Sequence, residues 1–194
     1  LFICEKPSLA GTVASFLGKP KKEDGYYSVA GDCVAWLYGH ILGLDDPDDY
    51  DPALKKFSYD TLPIVPSPFK KHVKGGSSKN AFNAIQKLAK EADEIIHVGD
   101  PDREGQYLVD EVLEAIRYKK PIKRLLINAY DDVSVKRAFD SMEDNSSSKR
   151  RNQYKAALGR DYTDWLIGMN ASRKYSLDSG KTLKAVSYTH LRAH

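Results

Sequence analysis

Three short apolar runs, 1–4, 95–98 and 124–127, punctuate the chain, and between them apolar residues recur at helical spacing. Runs of four residues rich in Ile and Val are too short for buried helices and read as strands buried on both faces. The intervening stretches predict helices over 9–17, with Ser8 as its cap and Gly18 as its stop, over 79–92, over 103–118 and over 133–142. On the 103–118 helix, Tyr107, Leu108, Leu113 and Ile116 form the apolar side. Residues 26–30 and 33–38 alternate around Gly31-Asp32 and predict a β-hairpin. Strands alternating with helices give an α/β class with a right-handed, parallel sheet.

Turn chemistry fills the gaps. Gly39-His40 ends the hairpin, and a lone histidine there is most often structural. Residues 45–52 form an acidic, Pro-punctuated loop, and 61–68 carry three prolines in an extended segment. The polar stretch 144–148 reads as a flexible joint and a domain boundary. Beyond it the basic run 149–155 opens a long amphipathic helix to about residue 175, with Arg160 and Asp164 one turn apart and Arg173-Lys174 closing it. These cations fit a solvated face with a complement to the helix dipole, or a groove that tracks phosphates.

The chemistry gathers where strands end. Ile95–Val98 runs into Gly99-Asp100-Pro101-Asp102-Arg103-Glu104-Gly105, three carboxylates within five residues. Two ionised carboxylates about 4 Å apart repel by roughly 4 kcal/mol at an effective dielectric of 20. Converging acids therefore call for a divalent cation, and all-oxygen ligation suits Mg²⁺. A purely structural reading is open too: Asp100 as a helix cap, Pro101 in the first turn, Asp102 and Glu104 complementing the dipole. Gly105 favours the chemical reading, because a glycine in a first helical turn costs about 1 kcal/mol against alanine unless something must approach the backbone. The position does so as well, since open α/β sheets bind ligands at the carboxyl ends of their strands. At the end of the first run, Glu5-Lys6-Pro7-Ser8 offers an acid that can hand on a proton and a cation that can meet a phosphate, or else a surface ion pair.

Composition narrows the class only slightly. The 194 residues are 41% hydrophobic and 29% charged, enough for one α/β core and part of a second domain. A net charge of +3 is a weak pointer to nucleic acid. Cys4 and Cys33 have neither CxxC nor zinc spacing, which fits a reduced, cytoplasmic protein. No run of 18 apolar residues suggests a membrane span, and no signal peptide is visible. The first run lacks a lead-in and an initiator methionine, so a residue or a few are expected to precede Leu1.

Together, Glu5-Lys6-Pro7-Ser8, Asp100-Pro101-Asp102-Arg103-Glu104-Gly105 and the stretch 160–175 resemble the start of a type IA DNA topoisomerase, most closely the bacterial topoisomerase III branch. Leu62-Pro63-Ile64-Val65-Pro66 and Asp164-Trp165-Leu166-Ile167-Gly168 share that likeness, which covers about residues 1–177. The resemblance implies a Toprim-type parallel sheet flanked by helices, with a β-hairpin insert and the start of a helical second domain. It divides the chain into a Toprim metal-binding domain over 1–144, the start of a helical single-stranded-DNA-binding domain over 149–177, and a tail over 178–194 outside the family pattern. Residues 186–194 read as translated sequencing-adapter read-through, with an ordinary polar tail as the alternative.

The resemblance also implies roles. Glu5 is the proton donor or acceptor at the cleavage site, and Lys6 contacts the scissile phosphate. Asp100, Asp102 and Glu104 hold Mg²⁺. Arg103, Arg160, Asp164, Ser172 and Arg173 belong to the DNA-binding surface, and single-stranded DNA is the expected partner of a monomeric isomerase. Relatives often carry an acid directly after the asparagine of the third strand, where this chain has Ala129 after Asn128. The family's nucleophilic tyrosine lies far downstream, so none of the 12 tyrosines here is nominated and the isolated chain is expected to be inactive in strand cleavage. Another Toprim enzyme, a primase or nuclease, shares the acids, and a non-catalytic single-strand-binding module needs only the basic helix.

Overall fold

The computed structural model describes residues 1–180 and bears out an α/β fold. The described chain divides into two compact units, Leu1–Gly43 with Val73–Ala157, and Leu44–His72 with the chain from Leu158 onward. Its elements are β1 (Phe2–Cys4), α1 (Pro7–Leu17), β2 (Lys21–Lys22), β3 (Tyr26–Val29), β4 (Asp32–Trp36), β5 (Leu42–Leu44), α2 (Pro47–Tyr50), β6 (Lys71–Val73), α3 (Ser77–Glu91), β7 (Ile95–Val98), α4 (Arg103–Ala115), β8 (Ile122–Arg124), α5 (Asp132–Asp140), β9 (Glu143–Asp144) and α6 (Ser148–Ser179). The tail reading over 186–194 lies outside the described residues.

In the first unit, seven strands form one sheet in the order β2-β3-β4-β1-β7-β8-β9. The four central strands are parallel, while the β3–β4 hairpin and β9 add antiparallel edges. Alternation decides which side chain goes to which face. Phe2 and Cys4 of β1, Val34 and Trp36 of β4, and Ile96 and Val98 of β7 pack with Leu9, Val13, Val135 and Ala138 of α1 and α5. Ile3, Ala35 and Ile95 point the other way and meet Ile85 of α3 and Leu108, Val109 and Val112 of α4. Burial on both faces explains why these strands read as unbroken apolar runs rather than as alternating ones.

Local boundaries differ from the sequence expectation in instructive places. Helix α1 starts at Pro7, and Lys6 occupies the cap position without a side-chain bond, so Ser8 is not the cap. Asp102, not Asp100, caps α4, its Oδ1 accepting from the Gly105 N–H at 2.7 Å. The third apolar run begins two residues early as a strand: β8 is Ile122–Arg124, and the buried Leu125 and Ile127 follow it. Asn145, expected in a flexible joint, is 8% exposed and bonds Gln106 and Asp110. Helix α6 runs past Arg173-Lys174 to Ser179.

The second unit is built by aromatic packing and main-chain capping. Phe69 stacks on Tyr162 with centroids 4.1 Å apart and meets Trp165 edge-on at 5.6 Å. The Trp165 indole N–H donates to the Asp45 carbonyl at 3.1 Å. Asn170 takes both polar groups of Ile64: its Oδ1 accepts from the Ile64 N–H at 2.6 Å, and its Nδ2 donates to the Ile64 carbonyl at 2.9 Å. An extended, Pro-rich segment cannot satisfy its own backbone, so a helix side chain does it instead.

Candidate metal centre

Strand register places the acids together. Cys4 of β1 pairs with Val98 of β7, so the residues that follow both strands emerge side by side at the same sheet edge. There the Asp100 N–H donates to Glu5 Oε2 at 2.7 Å, and Lys6 Nζ reaches Asp100 Oδ2 at 2.6 Å. Gly105 closes the arrangement from below. A Cβ there would collide with the Asp100 backbone and stand 2.8 Å from Glu5 Oε2. The close approach that this glycine permits is thus made by the protein's own acid turn.

Electrostatics tunes each group. Burial pushes the Glu5 carboxyl up, against the pull of the Asp100 N–H, and the Asp100 charge pushes it further in the same direction. The hydrogen bond to Asp100 holds the Lys6 ammonium above its ordinary value. That pair is about one-third exposed on each side, so it is worth no more than about 1 kcal/mol and a bound ligand can displace it. Lys6, Asp100, Pro101 and Asp102 line an open cleft of about 370 Å³ with the segment from Ile127 to Tyr130.

Glu104 turns elsewhere. His40 Nε2 lies 2.7 Å from Glu104 Oε1, and His40 Nδ1 lies 3.8 Å from Glu111 Oε1. Burial pulls the imidazole down, but its hydrogen bonds to Glu111 and Glu104 and their charges outweigh this and hold it above its ordinary value. His40, read from sequence as a structural residue, is therefore a titratable neighbour of the acids. Gly39-His40 at the end of a hairpin strand was its only signal.

Asp100, Asp102 and Glu104 do not bring one ligand atom each within 4.8 Å of one another. Among the described residues the group that does is Asp45, Asp49 and His72, in the second unit. The donor set at the sheet edge nevertheless suits a hard cation, because Mg²⁺ keeps several waters and needs only one or two carboxylates plus phosphate. Asp100 and Asp102 both line the cleft, two carboxylates of the kind such an ion would need.

The remaining candidates are dispersed. Arg103 is exposed in the first turn of α4, and Arg160 is exposed on α6, paired with Asp164 at 3.5 Å. Ser172 bonds back to the Met169 carbonyl. Arg173 is 6% exposed, bonded to the Leu54 carbonyl and lying 4.4 Å over the Phe57 ring. Within the basic run, Arg150 is buried and clamped to Glu143 Oε2 at 2.6 Å, while Lys149, Arg151 and Lys155 are exposed.

Residues 1–130 match the Toprim domain family. The chain belongs to that family. Toprim domains bind divalent metal ions. The Toprim chain is 44% identical over 183 residues to DNA topoisomerase 3 of Vibrio cholerae, an alignment covering 91% of this chain and 28% of the relative. It is 39% identical to DNA topoisomerase 3 of Salmonella typhimurium with the same coverage. The chain thus spans little more than a quarter of the length of these relatives. Full-length topoisomerase I of Thermotoga maritima shares the fold, with a TM-score of 0.57 at 21% identity over 88% of this chain and 25% of that one. Among the described residues no helix is long and apolar enough to cross a membrane.

Proposed function

We propose that this chain is the amino-terminal part of a type IA DNA topoisomerase, an enzyme that cleaves one DNA strand, passes DNA through the break and reseals it in the cytoplasm. The observation that carries the reading is the meeting of Glu5, Lys6, Asp100 and Asp102 at one sheet edge in a Toprim domain whose relatives are named DNA topoisomerase 3. No comparable observation favours a primase, a nuclease or a purely binding module.

The residues divide the work by charge. Asp100 and Asp102 hold the metal, with Glu104 and Arg103 flanking them in the first turn of α4. Mg²⁺ in that place supplies positive charge to phosphate oxygens. Lys6 meets the scissile phosphate once it leaves Asp100. Glu5, whose carboxyl is raised by burial, keeps a proton to higher pH than an exposed glutamate and can deliver it to a leaving oxygen. Single-stranded DNA follows the exposed cations Lys149, Arg151, Lys155 and Arg160, with Asp164 and Ser172 beside them on α6, and the protein acts as a monomer. Arg173 serves that surface indirectly, by fixing the segment around Leu54 and Phe57.

The test uses the 194-residue chain. Mn²⁺ as a paramagnetic probe should broaden backbone resonances around residues 97–105, and Asp100→Asn and Asp102→Asn should remove the effect. A labelled single-stranded oligonucleotide should bind with a steep salt dependence, because each phosphate contact releases a counterion. Absence of a metal response at the acid turn of the folded chain would overturn the metal reading, and salt-independent DNA binding would overturn the interface.

A further inference from the structure

Arg124 ends β8 at 0% exposure, beside His97 in the register of β7. Its five acceptors are one side-chain amide and four main-chain carbonyls. Nε donates to Gln106 Oε1 at 2.9 Å, Nη2 to the Asp100 carbonyl at 2.7 Å, and Nη1 to the carbonyls of Gly99 and Leu125 at 2.9 Å and of His97 at 3.3 Å. Burying a guanidinium costs several kcal/mol before its bonds are counted. An apolar side chain would finish a strand more cheaply, so the position asks what the fork holds.

Two of its acceptors, Gly99 and Asp100, lie on the turn that carries the acids, and a third, His97, lies on the strand that leads into it. With the Gly99 and Asp100 carbonyls drawn inward, the Asp100 N–H is left to meet Glu5. The fork itself is locked. Gln106 Nε2 donates to Asp110 Oδ2 and Asn145 Oδ1, both at 2.7 Å, and Asn145 Nδ2 donates to Asp110 Oδ1 at 2.8 Å, so the Gln106 oxygen can face only Arg124. The His97 ring completes the lock, with Nδ1 accepting from the Gly99 N–H and Nε2 donating to the Gln106 carbonyl.

We propose that Arg124 is the positioning residue of the acid turn: its guanidinium fixes the Gly99 and Asp100 carbonyls so that the Glu5 and Asp100 carboxylates are set side by side before a cation and a phosphate arrive. The proposal deepens the metal reading of this site and rests on it. Lysine cannot replace the fork, because three donors on one atom do not span carbonyls on two sides of a turn.

The experiment compares Arg124→Lys and Arg124→Met with Val109→Ala, a core truncation outside the network, in the 194-residue chain. Hydrogen exchange of the Asp100 amide is read against the amides of α1 and α3. Both Arg124 variants should speed exchange at Asp100 about tenfold more than in the helices, while Val109→Ala speeds all three alike. Mn²⁺ affinity should fall about tenfold in the Arg124 variants, the usual effect of losing a group that orients a ligand. Uniform acceleration in the Arg124 variants would overturn the proposal and leave Arg124 a structural residue. Should neither variant fold, the Arg124 side-chain N–H resonances of the unmutated chain decide: exchange as slow as that of core amides supports the clamp, and fast exchange overturns it. An unmutated chain without any Mn²⁺ response would remove the metal reading alone, since the exchange measurement needs no metal.

Discussion

Asp100, Asp102 and Glu104 lie within five residues of one another, yet each carboxylate has turned to a different protein donor: Lys6, the Gly105 N–H and His40. Asp45, Asp49 and His72 are spread over a far longer stretch of chain and still place ligand atoms within 4.8 Å of one another. The contrast separates two meanings of a cluster. Acids crowded on one turn repel, and local donors that a metal and a phosphate can replace hold them apart. Groups on separate segments, with Asp49 and His72 exposed and Asp45 half-buried, meet at little cost because water screens them. Closeness alone is therefore a poor guide to which group is built for a metal.

The largest expected effect tests that contrast directly. Asp100→Asn with Asp102→Asn should abolish the Mn²⁺ response at residues 97–105, whereas His72→Asn should leave it intact. Loss of that response in the His72 variant would reverse the ranking of the two groups. A second measure compares glycines. Gly105→Ala pushes a methyl into the Asp100 backbone and towards Glu5, and should cost about 1–3 kcal/mol in urea unfolding. Gly159→Ala, in the interior of α6 with nothing within 4 Å of the added carbon, should stabilise by about 0.5–1 kcal/mol. Equal signs for the two substitutions would dissolve the difference between a glycine that closes a site and one that merely sits in a helix.

The two imidazoles of the first unit, His97 buried and His40 half-buried, should titrate in opposite directions. Burial, aided by the Arg124 charge, holds His97 well below its ordinary value. The unfolded chain then takes up a proton below about pH 6.5 that the folded one refuses, and stability falls on acidification by up to about 1.4 kcal/mol per pH unit. His40, raised by Glu111 and Glu104, contributes stability that is present below about pH 6.5 and lost as pH rises through its folded value. Imidazole resonances followed by NMR should show His40 titrating above His97, with His97 protonated on Nε2 alone. The reverse order would contradict both environments.

Much of the site was legible because its parts are local. A strand ending in Glu5-Lys6, another ending in Asp100-Pro101-Asp102, and the glycine after them could be found by spacing and turn chemistry alone. Arg124 was not legible: it opens an apolar run, where a cation reads as the polar end of a strand. All its acceptors but the adjacent Leu125 carbonyl belong to β7, the acid turn and α4, and periodicity along one segment carries no information about bonds between segments. Gln106 and Asn145 were missed for the same reason, one on a helix face and one in a polar stretch that looked like a joint. The basic run and Arg173 illustrate the opposite error of reading every cation as exposed, since Arg150 and Arg173 spend their charge on Glu143, Phe57 and a main-chain carbonyl.

By itself the sequence determined the alternation of strand and helix, the two acid-bearing strand ends and the family to which they belong. Apolar periodicity and turn residues act over a few positions and survive in a linear string. Only the tertiary structure decided which donors hold the acids apart, that Gly105 makes room for the Asp100 backbone, and that a buried guanidinium underlies the turn. Those depend on strand register and on hydrogen bonds between residues up to 95 positions apart, as between Asp100 and Glu5. Such bonds form only once the apolar faces have packed and water has been excluded.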